Sequence, residues 1–500
     1  MSARNQMPNR NATVLQLARR ASIPRLPVCA GLLCAVVCGC LITANAKLGL
    51  AFGTFVILFA LVACYPTVLV PALVVLSVFV ETMFQSLTVS VGGTELMNFN
   101  GVVNIVLICV AAFLVFSGRI RLFGSLITKV FLLYCIAVAV SLAFSVNPFL
   151  TIKSLVRVSA AFCIYLIITQ VVTEKRAIDK TFQTLLIASA VPIAVGLYQI
   201  VFVNSFEMSR DMRVSGTFRN GQSYSMYLGL LLPFVFGQAL FSKTRPMWRS
   251  FFAGLFVAGL INLLYSSTRV GWGTFVLAMV CYAVLSKMKA FLPAIALLLV
   301  LLIIVFFPFF VESFGGFFTT DLGTYLSDDV SHDFRSEDYY SASSLHIRVF
   351  VWKHMLREVL GKSALFGLGS GTWLDYHDKA TVGFRVASHS DYFEVLFGTG
   401  LLGFAAYLLF RVRQLALLNR FLKDGVEAPV RATVVLPCLA TQIACLAMSI
   451  TEVWQAYDGI YWTSWITFAI SETYYKFYRT QSHDQHAADD TALDQDHGRT

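Results

Sequence analysis

About fourteen runs of apolar residues set the terms for any fold this chain can adopt. They lie near 28–44, 48–64, 67–82, 101–117, 128–146, 154–172, 182–204, 223–241, 250–266, 270–286, 290–310, 391–411, 432–450 and 459–477. A helix crosses a bilayer core with about 20 apolar residues. Hydrocarbon offers no water to a backbone N–H or C=O, so only helices and closed barrels span it. The apolar/polar alternation of barrel strands is missing from these runs. Only 13% of the 500 residues are charged and the mean hydropathy is +0.71, whereas a soluble protein carries about 25% charged residues. The expected fold is all-α: a polytopic integral membrane protein of 12–14 transmembrane helices.

Loop charges orient the spans. With a cytoplasmic N-terminus, the inner loops carry Arg119, Arg121 and Lys129, then Lys175, Arg176 and Lys180, then Lys243, Arg245 and Arg249, then Lys287 and Lys289. The last inner clusters are Arg411, Arg413, Arg420, Lys423 and Arg431, followed by Lys476 and Arg479. The short outer loops are poor in Lys and Arg, as the positive-inside rule requires. The net charge of +10 is therefore read as topology and not as the footprint of a nucleic-acid partner. The eleven cysteines all fall in or at the ends of apolar runs, which argues against disulfides and against a thiolate metal site.

The expected organisation is a basic cytoplasmic tail at 1–26, helices 1–11 over 27–310, a large periplasmic loop at 311–390, helices 12–14 over 391–478, and a disordered cytoplasmic tail at 479–500. The tail is polar and acidic, a composition that favours disorder. The large loop is rich in aromatic residues. Its run RVFVWKHMLREVL (348–360) has apolar residues at helical spacing, so a partly helical cap is expected.

Charge is costly in a bilayer, and intramembrane ionisable residues default to function. Here the middles of the spans look almost free of it. The unusual positions collect at the outer ends: Arg157, Arg269, Asp391, Glu394, Glu452 and Asp458, with Arg210, Arg213, Arg219, Arg348 and Arg385 in the outer loops. An ion-coupled transporter would place such groups near the midplane. An enzyme acting on a lipid-borne anion would place arginines at headgroup level, because the guanidinium fork fits phosphate oxygens. Arg157 also reads as a snorkelling side chain. Arg269 lies in a very short hairpin that needs no arginine, and Arg348 opens the loop helix against its dipole.

The stretch ASHSDYFEVLFGTGLLGF (387–404) contains a literal G-x-G-x-x-G at Gly398, Gly400 and Gly403. Inside a membrane run it cannot be a dinucleotide fingerprint, which needs a preceding strand. Its small residues suit close helix packing. Ser388 and Asp391 match a helix-capping pattern. The cap leaves His389 unexplained, and a histidine suits deprotonation of a hydroxyl near neutral pH.

Four segments in order resemble the O-antigen ligase and polymerase superfamily. They are RVSGTFRNGQSYSMYLGLLLP (213–233), SSTRVGW (266–272), HIRVFVWKHML with SALFGLGSGTW (346–373), and SHSDYFEVLFGTGLLG (388–403). Val270 before Gly271 departs from the family's Arg-Gly hairpin. The resemblance implies a GT-C-like, inverting, metal-independent glycosyltransferase without a cofactor, in the bacterial inner membrane with its active face periplasmic and both termini cytoplasmic. By the same resemblance Arg269 and Arg348 hold a lipid diphosphate and His389 serves an acceptor hydroxyl. Arg213, Arg219 and Arg385 contact substrate, and Asp391 and Tyr392 support the histidine loop and count with the substrate-binding residues. The implied donor is an undecaprenyl-diphosphate-linked glycan, the acceptor a glycan or lipid A-core, and a chain-length regulator is a further implied partner. Polymerase is the preferred reading, from the chain's length, its span count and the HSDY form. Ligase, protein O-oligosaccharyltransferase and polysaccharide transporter are the alternatives.

Overall fold

A computed structural model describes residues 66–79, 88–91, 94–203, 213–286, 344–380, 387–424 and 426–497. The helices are α1 (Pro66–Phe79), α2 (Phe99–Phe116), α3 (Leu126–Ser141), α4 (Pro148–Val171), α5 (Lys175–Ala188), α6 (Ala190–Tyr198), α7 (Gly221–Phe241), α8 (Pro246–Tyr265) and α9 (Arg269–Leu285). After them come α10 (Ser344–Lys362), α11 (Trp373–Ala380), α12 (Asp391–Lys423), α13 (Leu436–Met448) and α14 (Asp458–His497). Among the described residues, seven helical segments have the length and hydropathy to cross a membrane, and two shorter apolar helices, Asn100–Phe116 and Arg269–Leu285, stand beside them. The protein is a multi-pass, all-α integral membrane protein. The runs 28–44, 48–64 and 290–310, the basic tail, and the loop segment 311–343 lie outside the described residues.

Local chemistry sets the helix ends. Ser125 and Thr128 close a capping box on α3. Asn147 accepts from Leu150 N ahead of Pro148 at the start of α4, where the missing proline N–H is no loss. Asn220 accepts from Ser223 N to open α7. Among the described residues a small antiparallel hairpin, β1 (Thr88–Val91) with β2 (Thr94–Asn98), pairs Thr88 with Asn98 and Val91 with Thr94.

In lipid, helices gain little from hydrophobic burial against one another, so packing density and polar contacts hold the bundle. At its centre Phe131 of α3 meets Trp465 of α14 edge-on at 4.5 Å and Phe410 of α12 at 4.8 Å. Each such pair contributes about 0.5–1.5 kcal/mol. Elsewhere glycine lets backbones close: a Cβ on Gly271 of α9 would stand 2.3 Å from Ser225 Cβ of α7.

Three expectations change here. Arg411 is not a loop charge. It is 7% exposed inside the bundle, donates to Gln414 and Gln442, and lies over the Tyr407 ring. Glu472, four turns into α14, is likewise buried and accepts from Tyr165. The spans therefore do carry ionisable groups, each satisfied by polar neighbours, which spacing in one helix cannot reveal. Finally, α14 continues to His497, through the segment read as a disordered tail. Residues 480–497 contain no Gly or Pro, and elongation from a packed stem adds one hydrogen bond per residue without a new nucleation cost.

Candidate active site

The histidine loop is built from both sides. Ser390 is the N-cap of α12 but makes no side-chain cap bond. The expected Ser388–Asp391 capping pair does not form: Ser388 Oγ donates to Glu394 at 2.8 Å. Instead the Asp391 N–H donates to the carbonyls of Ser449 and Glu452, so the segment after α13 closes the helix end. His389 sits between these anchors with φ of +48°. A non-glycine residue there is uncommon and costs about 1–3 kcal/mol, and such strain clusters at functional sites. On the other side, Trp352 of α10 donates its indole N–H to Ser388 O at 2.7 Å and stacks on Phe393 at 5.0 Å.

Glu452 is the hub. Its side chain is 3% exposed and lies 3.5 Å from Nδ1 of His389, whose own side chain is 35% exposed. That is an ion-pair distance, not a hydrogen bond. Gln222, in the first turn of α7, donates to the same carboxylate. Arg348, one turn before Trp352, feels it too: burial lowers the arginine's pKa and the Glu452 charge opposes that fall. Arg348 Nε and His389 Nδ1 are both buried atoms without a hydrogen-bond partner among the described residues. A buried donor left unpaired costs about 1–3 kcal/mol; His389 Nδ1 faces the Glu452 carboxylate, which leaves Arg348 Nε as the unsatisfied donor on α10. Because α10 begins at Ser344, Arg348 lies in its second turn, and the dipole cost expected of a helix-opening cation largely disappears.

Two more arginines belong to the corner formed by the segment before α7 and the α8–α9 hairpin. The N–H of Val214 donates to Tyr265 O at the end of α8. A Cβ on Gly221 would meet Arg213 Cβ at 2.8 Å and Ser266 O at 3.1 Å. The R-V-S-G-T-F segment is thereby clamped onto the α8–α9 hairpin, which turns through Ser267 at φ +51° and is braced by Trp272 donating to Leu263 O. Arg213 and Arg269 are both exposed there, and Gln222 links that corner to Glu452.

Arg219 is exposed on the turn before Asn220, and Arg385 lies outside the described residues. Asp391 is fully buried, accepting from Ser449 Oγ and from Gln455 N. Tyr392 donates its hydroxyl to Leu446 O of α13. Both make these bonds inside the protein, where they hold the loop against α13 and the segment that follows it. Arg157 pairs with Asp458 at 2.9 Å. The sequence flagged Glu452 only as an acid at a span end and gave no reason to single out Gln222. Among the described residues no group of three or more His, Cys, Asp or Glu side chains is placed to hold a metal.

The glycines fasten the cap helix to the bundle. Gly400 interrupts α12 with φ +65° and ψ −167°. The turn after α10 docks on that break: Leu368 N and Gly369 N donate to Phe397 O and Gly398 O, and Leu401 N and Leu402 N donate to Ala364 O and Leu365 O. The expected helix packing is thus packing against a turn, and only Gly403, whose Cβ would lie 3.3 Å from Ala137 Cβ of α3, meets another helix. The same turn reaches α4, where Ser370 and Ser154 share a hydroxyl bond.

Residues 254–408 match the family model described as O-Antigen ligase. The match takes in the α8–α9 hairpin, α10, the histidine loop and the broken start of α12. No curated protein matches the sequence.

Proposed function

We propose that this chain is a polymerase that joins undecaprenyl-diphosphate-linked oligosaccharide repeat units for exopolysaccharide, capsule or O-antigen. The reaction is an inverting, metal-independent glycosyl transfer. The observation that carries it is the meeting of His389 and Gln222 at Glu452, whose charge also reaches Arg348, next to the corner where Gly221 packs on Arg213. An acceptor hydroxyl oxygen attacks the anomeric carbon of the donor. The bond from that carbon to the diphosphate oxygen breaks, and its electron pair leaves with the diphosphate. Negative charge grows on the departing group, and fixed guanidinium groups at its position stabilise it without reorganising. His389 takes the hydroxyl proton. A carboxylate on the Nδ1 side favours the tautomer whose Nε2 is the base, and stabilises the imidazolium that results. A contact of 3.5 Å is open enough to tighten when substrate binds, as catalytic hydrogen bonds often do.

The basic loops Arg119–Arg121, Lys175–Arg176 and Lys243–Arg249 join helices at the end of the bundle opposite the histidine loop. The positive-inside rule favours a cytoplasmic location for that end, which supports reading the site as periplasmic, on the outer face of the inner membrane. The acceptor distinguishes polymerase from ligase, and the length of the chain and the HSDY form of its histidine segment favour the polymerase. The test is purified full-length protein in nanodiscs with a lipid-linked repeat unit as donor. A ladder of elongated lipid-linked products is expected. Product formed with lipid A-core alone would replace polymerase by ligase, and no transfer to either acceptor would overturn the proposal.

Two substitutions probe the geometry within that assay. Trp352→Phe keeps the stack on Phe393 and loses the bond to Ser388 O. Misplacing a reacting group by about 1 Å costs up to about 10²-fold, so kcat should fall while donor KM holds. An unchanged kcat would mean that the indole does not set the position of His389. Arg348→Lys keeps the charge and loses the fork. Removal of one stabilising donor costs about 10²–10³-fold in kcat, and the lysine variant should recover part of what Arg348→Ala loses. Equal activity in the two would remove Arg348 from the diphosphate site.

A further inference from the structure

The inner face of α10 packs Val351, Met355 and Val359 against Trp373 and Phe397. Its outer face is not simply polar. Leu356 and Leu360, one turn apart, are 39% and 51% exposed, and Leu365 just beyond the helix is 53% exposed. Lys353 and Arg357 are exposed along the neighbouring stripe. A soluble cap would have no reason to show such leucines to water.

The position of the turn supplies the reason. Leu365 O accepts from Leu402 N. Leu401 and Leu402 are themselves exposed, and they begin the exposed apolar belt of α12 that continues through Leu408, Leu409 and Val412. With 33 residues α12 is about 50 Å long, against a hydrocarbon core of about 30 Å. The part of α12 before this belt is the part that α10 flanks. On the other side Phe366 stacks on Phe144 at 4.7 Å, and Phe144, Phe149 and Ile152 are exposed at the adjoining ends of two spans. The leucines of α10 are therefore continuous with the lipid-facing surface of the bundle.

We propose that α10 and the turn 363–366 form an interfacial helix in the headgroup layer of the bilayer, with Leu356, Leu360 and Leu365 in the acyl boundary and Lys353 and Arg357 on the phosphates of anionic phospholipid. An apolar stripe beside a basic stripe is the pattern that seats a helix in that layer, and cations near an anionic surface strengthen the attachment. Arg348 rides on the same helix, so the arrangement holds its guanidinium at phosphate depth whichever lipid the site takes.

The experiment uses the unaltered full-length protein in vesicles of phosphatidylethanolamine and phosphatidylglycerol. The phosphatidylglycerol carries a photoreactive diazirine on the first carbons of its acyl chain. After irradiation, lipid adducts mapped by mass spectrometry are expected on 353–365 as well as on 401–412 of the α12 belt. Adducts on the belt without any on 353–365 would overturn the proposal, since the belt shows that the reagent reached the protein. The double variant Lys353→Glu, Arg357→Glu should lower the labelling of 353–365 several-fold while leaving the belt unchanged; equal labelling would remove the basic stripe from the interaction.

Discussion

His389→Ala is expected to lower kcat for glycosyl transfer by about 10²–10⁴-fold, the range that one general base supplies, with binding of the lipid-linked donor retained. The side chain is 35% exposed and makes no hydrogen bond through Nδ1, so its removal should leave the fold intact. The loop is held without the imidazole, by Trp352 on Ser388 O and by the Asp391 N–H on Ser449 O and Glu452 O. Glu452→Gln sharpens the test. It keeps the volume and removes the charge that orients the imidazole and offsets the buried Arg348. It should lower kcat by less than His389→Ala, and the double variant should lose only a little more than His389→Ala alone, the remainder being the charge that Arg348 loses, because groups that act as a unit are not additive. If the two losses multiply, Glu452 acts elsewhere than through His389. If His389→Ala retains full activity, the base lies elsewhere and the proposed site fails.

The sequence carries the spans and the arginines because each rests on a one-dimensional signal. Apolar length predicts each described helix of the bundle, and a lone Arg in a tight hairpin stands out from its neighbours. Glu452 was visible only as an acid at a span end. Its role depends on Gln222, Arg348 and His389 arriving at one point from α7, α10 and the loop before α12, and no spacing in any one helix encodes that meeting. Arg411 misled for the opposite reason. It ends an apolar run, so it reads as a loop charge, but Gln414, Gln442 and the Tyr407 ring bring it inside. The glycine motif sits inside α12. What it does there could be seen only once the 364–369 turn lay against it.

Gly400→Ala is expected to be the most destabilising alanine substitution among the described glycines, and the reason is specific to its backbone. At φ +65° and ψ −167° it occupies a region open essentially to glycine alone, where another residue costs about 1–3 kcal/mol. The added Cβ would also stand 2.4 Å from Leu365 C and 2.5 Å from Phe366 N. Neither atom is the end of a flexible side chain, so the turn after α10 must move, and with it the bonds from Leu401 N and Leu402 N. The helix that carries Arg348 and Trp352 then loses its footing on α12, and transfer activity should be lost together with thermal stability. Gly254→Ala is the matched control. It lies within α8 with nothing within 4 Å of the new Cβ, and alanine there should raise stability by up to about 1 kcal/mol through helix propensity. The check is the melting temperature of each purified variant in the same detergent, with transfer assayed in parallel. A Gly400→Ala protein that melts with the parent would show that the break in α12 is not needed to seat the cap helix. A variant that melts early yet transfers normally would show that the seat matters for stability and not for the position of the site.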